Sequence, residues 1–280
     1  MTYRLLALTI DNAVLRSNGK ISRQTKDAID YVKSKGVYVT IATERPFPAA
    51  KKVAKSLKLD GYLISNNGAF VAEASDQPLF ARRIQQEKAI HLVELLEQFN
   101  CHIRVFHESY AVGNRMNQKN HLITKMTVGI GDPLFYPVHF VDTVSDQLLK
   151  DPFAPLKVQA EFTDDLEKER ALRELKAAIP SITISSGEEG RIDIVNYSVS
   201  KGRALLRLAQ HLGIGPEETV AIGASKADVE MVSQVGLGVA MGNGAKEVKE
   251  AAHWVTRTHD QNGVSYMVRE VFRKQLRVQL

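Results

Sequence analysis

The sequence predicts an α/β protein, a doubly wound parallel sheet interrupted by an inserted α+β domain, and three observations carry that expectation. Short, nearly continuous apolar runs recur at residues 3–10, 37–42 and 61–65, separated by segments with helical spacing of apolar residues. Strands without polar alternation are buried on both faces, as in a parallel sheet covered by helices. The same rhythm returns after Lys201, while the intervening stretch reads as short strands with intermittent helices.

Each element follows from local chemistry. The run 3–10 ends at Asp11-Asn12 and reads as the first strand. Ser22 offers a side-chain oxygen to the first free N–H groups of a helix, Ala28, Ile29 and Val32 repeat along one face, and Gly36 stops it. Residues 37–42 form the second strand, Pro46 suits the first turn of a helix reaching about Leu57, and residues 61–65 form the third strand. Short connections between buried strands imply parallel pairing. Strands at 70–74 and 79–84 precede a helix at 86–99 with Ile90, Val93, Leu96 and Phe99 on one face. Strands near 102–107 and 156–162, a charged helix near 165–178, and strands near 182–186 and 191–195 complete the middle block. Between Asn114 and Phe153 the chain is least legible. The final block alternates helix 201–212, strand 219–222, helix 227–234, strand 237–240, helix 245–252, strand 253–255 and helix 264–274. Residues 1–82 and 197–280 thus read as one α/β core and 83–196 as an α+β insertion.

Composition excludes several classes. Of 280 residues, 44% are hydrophobic and 25% charged, ordinary globular values that argue against a disordered or fibrous chain. No apolar run approaches the roughly 20 residues a bilayer crossing needs, and the start lacks a signal peptide's basic front and cleavage site. A single cysteine, Cys101, excludes an intrachain disulfide and fits a reducing compartment, so the expectation is a cytoplasmic protein with no membrane partner. The net charge of +5 is scattered over pairs such as Lys51-Lys52 and Arg82-Arg83 and a C-terminal cluster, Arg269, Arg273, Lys274 and Arg277. No aromatic stacking platform is interleaved with them, so no nucleic-acid partner is expected.

Ligands of open α/β sheets bind beyond the carboxyl ends of the strands. Those ends carry Thr9-Ile10-Asp11-Asn12-Ala13, Ala42-Thr43-Glu44-Arg45-Pro46, the helix start Lys201-Gly202, and Gly223-Ala224-Ser225-Lys226-Ala227-Asp228. With Ser65-Asn66-Asn67-Gly68-Ala69, Ala240-Met241-Gly242-Asn243-Gly244 and the closing His259-Asp260-Gln261-Asn262-Gly263-Val264, the chain resembles the haloacid-dehalogenase (HAD) superfamily, in its Cof-like branch of small-molecule phosphatases with a large α/β cap. The resemblance implies a HAD-like Rossmannoid core with an α+β cap, a Mg²⁺ cofactor, and a phosphorylated small molecule as substrate.

It also exposes departures. Family members open with Asp-x-Asp-Gly-Thr, the first Asp attacking phosphorus and ligating Mg²⁺, the second acting as acid and base. Here the acid/base position is Asp11, and the nucleophile position is Thr9, whose hydroxyl is neutral near pH 7 and a poor hard-cation ligand. The family's Gly-Asp-x-x-Asn-Asp becomes a segment with Ala224 at one metal-ligand position, Ala227 in place of the Asn, and Asp228 retained. Thr43 and Arg45 match the second motif's phosphate-binding positions and Lys201 the third motif's lysine; Glu44 replaces a usual glycine, where it crowds or neutralises the pocket. Thr43 reads equally as a cap, Lys201 as a partner of Asp11 or Asp228, Lys226 as an added charge nearby, and Asn67 as an Asn-Gly turn residue.

Loss of nucleophile and metal ligand together points to a HAD-type pseudophosphatase that retains an anion or ligand pocket and senses a ligand or binds a protein partner. The alternative is a working Mg²⁺-dependent phosphatase rescued by Asp11, Asp228 and Glu44.

Overall fold

The computed structural model describes residues 2–115, 136–187 and 190–276. Strand β1, Leu5–Leu8, is fully buried. It stops two residues short of the apolar run because the backbone turns at 10–14, where Asn12 takes a left-handed φ of 57° and Leu15 N donates to Ile10 O at 3.0 Å. Helix α1, Arg23–Ser34, starts at Ser22, whose Oγ accepts from Thr25 N at 3.0 Å, and buries Ala28, Ile29 and Val32. There follow β2 (Tyr38–Ile41), α2 (Phe47–Ser56), β3 (Tyr62–Ser65), β4 (Phe70–Glu73) and β5 (Pro78–Ala81).

The middle of the chain holds α3 (Gln86–Leu96), β6 (Cys101–Phe106), β7 (Ala111–Asn114), β8 (Val138–Val141), α4 (Val144–Lys150), β9 (Lys157–Phe162), α5 (Asp165–Ala178), β10 (Ile182–Ser186) and β11 (Arg191–Asn196). The last part holds α6 (Lys201–His211), β12 (Thr219–Gly223), α7 (Val229–Ser233), β13 (Leu237–Ala240), α8 (Lys246–Ala251), β14 (Trp254–Val255) and α9 (Gly263–Phe272). The helix expected at 227–234 is shorter because Lys226–Asp228 first form a 3₁₀ turn. In the poorly legible stretch, β8 and α4 are present, while residues 116–135 lie outside the described residues, as does Arg277 of the basic cluster.

The chain divides into two units. One comprises Met1–Glu44, Ala50–Phe80 and Ser200–Leu280; the other comprises Arg45–Ala49 and Ala81–Val199. The sequence reading draws its boundaries at 82 and 197 and keeps Arg45–Ala49 in the core.

In the first unit a parallel sheet has the order β14-β13-β12-β1-β2, and a parallel bridge from Ala42 to Ile64 leads on to the small sheet β3-β4-β5. Leu5, Ala7 and Ala221 of the sheet pack with Leu205 and Leu208 of α6 and Met231 of α7. Each fully buried Leu or Met among them contributes about 1.5–3 kcal/mol. The turn after β3 requires glycine: Gly68 has φ +98°, and a Cβ there would stand 2.3 Å from Ser200 O.

In the second unit a six-stranded sheet has the order β10-β11-β9-β6-β7-β8, antiparallel at the pairs joining β10 through β7 and parallel between β7 and β8. One face, with Ile103, Val105, Val158, Ala160, Ile192 and Ile194, packs in one apolar cluster with Leu92 and Val93 of α3, Leu148 of α4 and Leu175 of α5. No helix among the described residues is long and apolar enough to cross a membrane.

Candidate functional site

The site is assembled at the carboxyl ends of β1, β2 and β12 and at the start of α6. Thr9 follows β1 directly, is buried, and donates its backbone N–H to Ile222 O at 3.1 Å. Asp11 lies on the turn beyond it and is exposed. That turn is braced from the far end of the sequence: Asn243 Nδ2 donates to Asn12 O at 2.9 Å, and Asn243 Oδ1 accepts from His259 N at 2.8 Å. Thr43, buried just past β2, donates its N–H to Ile64 O at 2.9 Å, and its carbonyl accepts from Asn67 N at 3.1 Å. Asn67 is buried with a left-handed φ of 60°, so its conformation serves the turn before Gly68.

The electrostatic centre is Lys201. Ser200 caps α6, its Oγ accepting from Arg203 N at 3.0 Å, which sets Lys201 in the first turn with its side chain only 1% exposed. Its Nζ lies 2.5 Å from Asp228 Oδ1 and 3.4 Å from Glu44 Oε1. The other oxygen of Asp228 accepts from Ala224 N at 2.8 Å, Ser225 N at 2.9 Å and Ser225 Oγ at 3.1 Å. Ser225 Oγ also lies 3.1 Å from Glu44 Oε1. Burial works against the charged ammonium, but the Asp228 and Glu44 carboxylates outweigh it, so Lys201 titrates above the ordinary lysine value.

Several expected site residues therefore meet, and others do not. Lys201, Asp228 and Glu44 converge, with Thr9 and Thr43 at neighbouring strand ends. Lys226 does not join them: its ammonium pairs with Glu247 at 2.8 Å on α8 and stays 63% exposed, because the 3₁₀ turn points it outward. Arg45 groups with the second unit, whereas Thr43 and Glu44 belong to the first. Ser225, which sequence reasoning cited only as part of its segment, proves to be the hydroxyl that links the two carboxylates. Its signal was the Ser-x-x-Asp spacing of a capping box.

Charge at this centre limits anion binding. One ammonium faces two carboxylates, so the charge of Lys201 is matched within the chain.

Nor do the residues present fit Mg²⁺, which takes oxygen donors in near-octahedral geometry. Asp228 is fully buried with both oxygens engaged, Ala224 offers no donor side chain, and Thr9 offers only a neutral hydroxyl. Among the described residues, no group of three His, Cys, Asp or Glu side chains is placed to hold a metal ion.

Comparison with known proteins places this geometry in context. The family described as haloacid dehalogenase-like hydrolase matches residues 6–268. The stress response protein YhaX of Bacillus subtilis is 43% identical over 277 residues, covering 99% of this chain and 96% of that protein. The 5-amino-6-(5-phospho-D-ribitylamino)uracil phosphatase YcsE of the same organism is 28% identical, covering 95% and 94%. Among solved structures, the HAD subclass IIB sugar phosphatase BT4131 superposes with a TM-score of 0.82 at 21% identity, over 95% of this chain and 98% of that one. The chain belongs to the haloacid dehalogenase-like hydrolase family, in its Cof-type branch, and carries that family's α/β core with an inserted cap.

Proposed function

We propose that this protein is a Cof-type pseudophosphatase, a cytoplasmic phosphatase fold in which hydrolysis is lost or nearly so and the strand-end pocket serves a ligand or a protein partner. The observation that carries the reading is the Lys201–Asp228 ion pair at 2.5 Å, capped by Ser225 and flanked by Glu44. It supports an account in which the retained carboxylate holds a lysine and two backbone N–H groups instead of a metal. Thr9 stands at the attacking position, where a neutral hydroxyl is a weak nucleophile unless a base activates it. Ligand entry to this pocket requires Glu44 to leave Lys201.

A second reading, a working phosphatase, draws on the exposed Asp11 at the acid/base position and on relatives named as phosphatases. Hydrolysis of p-nitrophenyl phosphate by the purified chain across a Mg²⁺ titration separates the two. The pseudophosphatase reading expects no Mg²⁺-dependent turnover in the parent, and a gain in Thr9→Asp/Ala224→Asp/Ala227→Asn that single substitutions do not give, since groups acting as a unit are non-additive. Mg²⁺-dependent turnover in the parent that is abolished by Asp11→Asn establishes the second reading instead.

A further inference from the structure

The basic residues near the C-terminus take no part in the strand-end site, and one of them faces a cleft. Within the first unit a space of about 250 Å³ lies where the start of α1 meets the start of α9. Its walls include Gln24 of α1, Ser265, Tyr266 and Arg269 of α9, and Arg257 and Gln261 of the segment that joins β14 to α9. Two guanidiniums thus line one small space, and no carboxylate lines it.

Arg257 is held on three sides. Its carbonyl accepts from Gly242 N at 3.1 Å, and Gly263 packs so closely on that carbonyl that a Cβ would stand 2.1 Å from its oxygen. Its guanidinium lies over the Tyr266 ring, with Cζ 4.0 Å from the centroid, and the Trp254 ring stands 5.9 Å from that of Tyr266. A ring face fixes a cation without taking up its N–H donors as a carboxylate does, so the fork stays unspent. Arg269 follows Tyr266 by three residues, which sets the two on one face of α9. Neither arginine makes an ion pair among the described residues.

Acidic groups on the same elements are engaged elsewhere or face elsewhere. Asp27 of α1 lies 3.8 Å from Arg23, and Asp260 lies 3.9 Å from Arg16 and accepts from Ser17 N at 3.1 Å. Glu270 is exposed and adjoins Arg269 in sequence, and successive helix residues do not face each other.

Like charges lining one space repel, and a bound anion relieves that repulsion. We propose that this cleft binds a small hydroxylated molecule carrying two negative charges on phosphate or carboxylate oxygens. Arg257 and Arg269 offer their donor forks to those oxygens, and Gln24, Gln261 and Ser265 offer the neutral donors and acceptors that suit a hydroxylated body. Size points the same way, since the space falls below the roughly 300–1,000 Å³ of drug-sized sites. The cleft shares no residue with the Lys201 centre, so the proposal does not rest on the pseudophosphatase reading.

Calorimetric titration of the full chain with glycerol 3-phosphate and with malate tests it, with glycerol as the uncharged control. At least one anion should bind the parent saturably, the tighter of the two identifying the headgroup class, and glycerol should not bind. Arg257→Met and Arg269→Met should each weaken that binding about tenfold or more, since each removes a charge-assisted contact. Arg273→Met removes the same charge from just beyond the same helix, at a residue that does not line the cleft, and should leave the affinity within about twofold. No saturable binding by either anion up to about 10 mM, or glycerol binding as tightly as the anions, overturns the proposal. So does equal weakening by Arg273→Met, which would reveal diffuse attraction, or binding left intact by both cleft substitutions, which would put the anion elsewhere on the chain.

Discussion

A buried lysine meets a buried aspartate in each unit, Lys201 with Asp228 at 2.5 Å and Lys157 with Asp193 at 3.3 Å, yet the two surroundings differ in sign. In the first unit Glu44 adds a second carboxylate, and Asp228 is also capped by two backbone N–H groups and a hydroxyl. In the second, Arg104 adds a second cation, with Glu161 acting on it and its Nη1 left without a hydrogen-bond partner. The same pair is therefore joined by a further carboxylate in one place and by a further cation in the other. Closure suits a site that has given up its chemistry.

The largest effect should come from breaking the closed pair. Lys201→Met leaves Asp228 charged and fully buried, and removing one partner of such a pair typically costs about 3–5 kcal/mol, read as a fall in denaturant unfolding free energy. The same variant tests the pH sign. Because the folded state raises the Lys201 pKa, its stabilisation is fully present below the unfolded lysine value of about 10.4 and is lost as pH rises through the folded one. The parent should therefore lose stability at strongly alkaline pH, and that component should be missing from Lys201→Met.

Lys157→Met should cost less, about 1–3 kcal/mol, since Gln159 still donates to Asp193 and Arg191 stands nearby. An equal or larger loss than at Lys201 would erase the distinction drawn between the two pairs. Ser225→Ala removes one hydroxyl from Asp228 and Glu44 together with a helix-turn cap, and a loss of about 1 kcal/mol is expected. Smallest of all should be Arg104→Met. Replacing this buried cation by an apolar chain of similar length should change stability by less than about 1 kcal/mol, because desolvation already works against the guanidinium and only the attraction of the less buried Glu161 is lost. A fall comparable to that of Lys157→Met would mean that Arg104 is already matched in the folded chain.

Much of the fold was legible because the relevant signals are local. Continuous apolar runs announced β1, β2 and β3, and Ser22 with Gly36 framed α1. Strand β7 was missed because Ala111, Val112, Gly113 and Asn114 carry little β-forming bulk, although Asn114 holds the strand pair through a hydrogen bond from Ile103 N. At the strand-end site, the replaced residues Thr9, Ala224 and Glu44 could be read by position alone. The Lys201 partnership could not, since it depends on Glu44 and Asp228, 157 positions apart from Lys201 in the first case. The charged row of the second unit was invisible for a different reason. His102, Arg104, Lys157, Gln159 and Glu161 alternate with apolar residues, which is how a strand with one solvated face reads, and only the strand register reveals that Arg104, Gln159 and Asp193 stand side by side and buried.

The central claim, that the retained carboxylate at the strand ends is committed to Lys201 and not to a metal, is tested most directly by calorimetric titration of the purified chain with Mg²⁺. The account expects no saturable heat in the parent and a binding isotherm only when Thr9→Asp and Ala224→Asp together restore the missing oxygen donors. Micromolar Mg²⁺ affinity in the parent, abolished by Asp228→Asn, would contradict it.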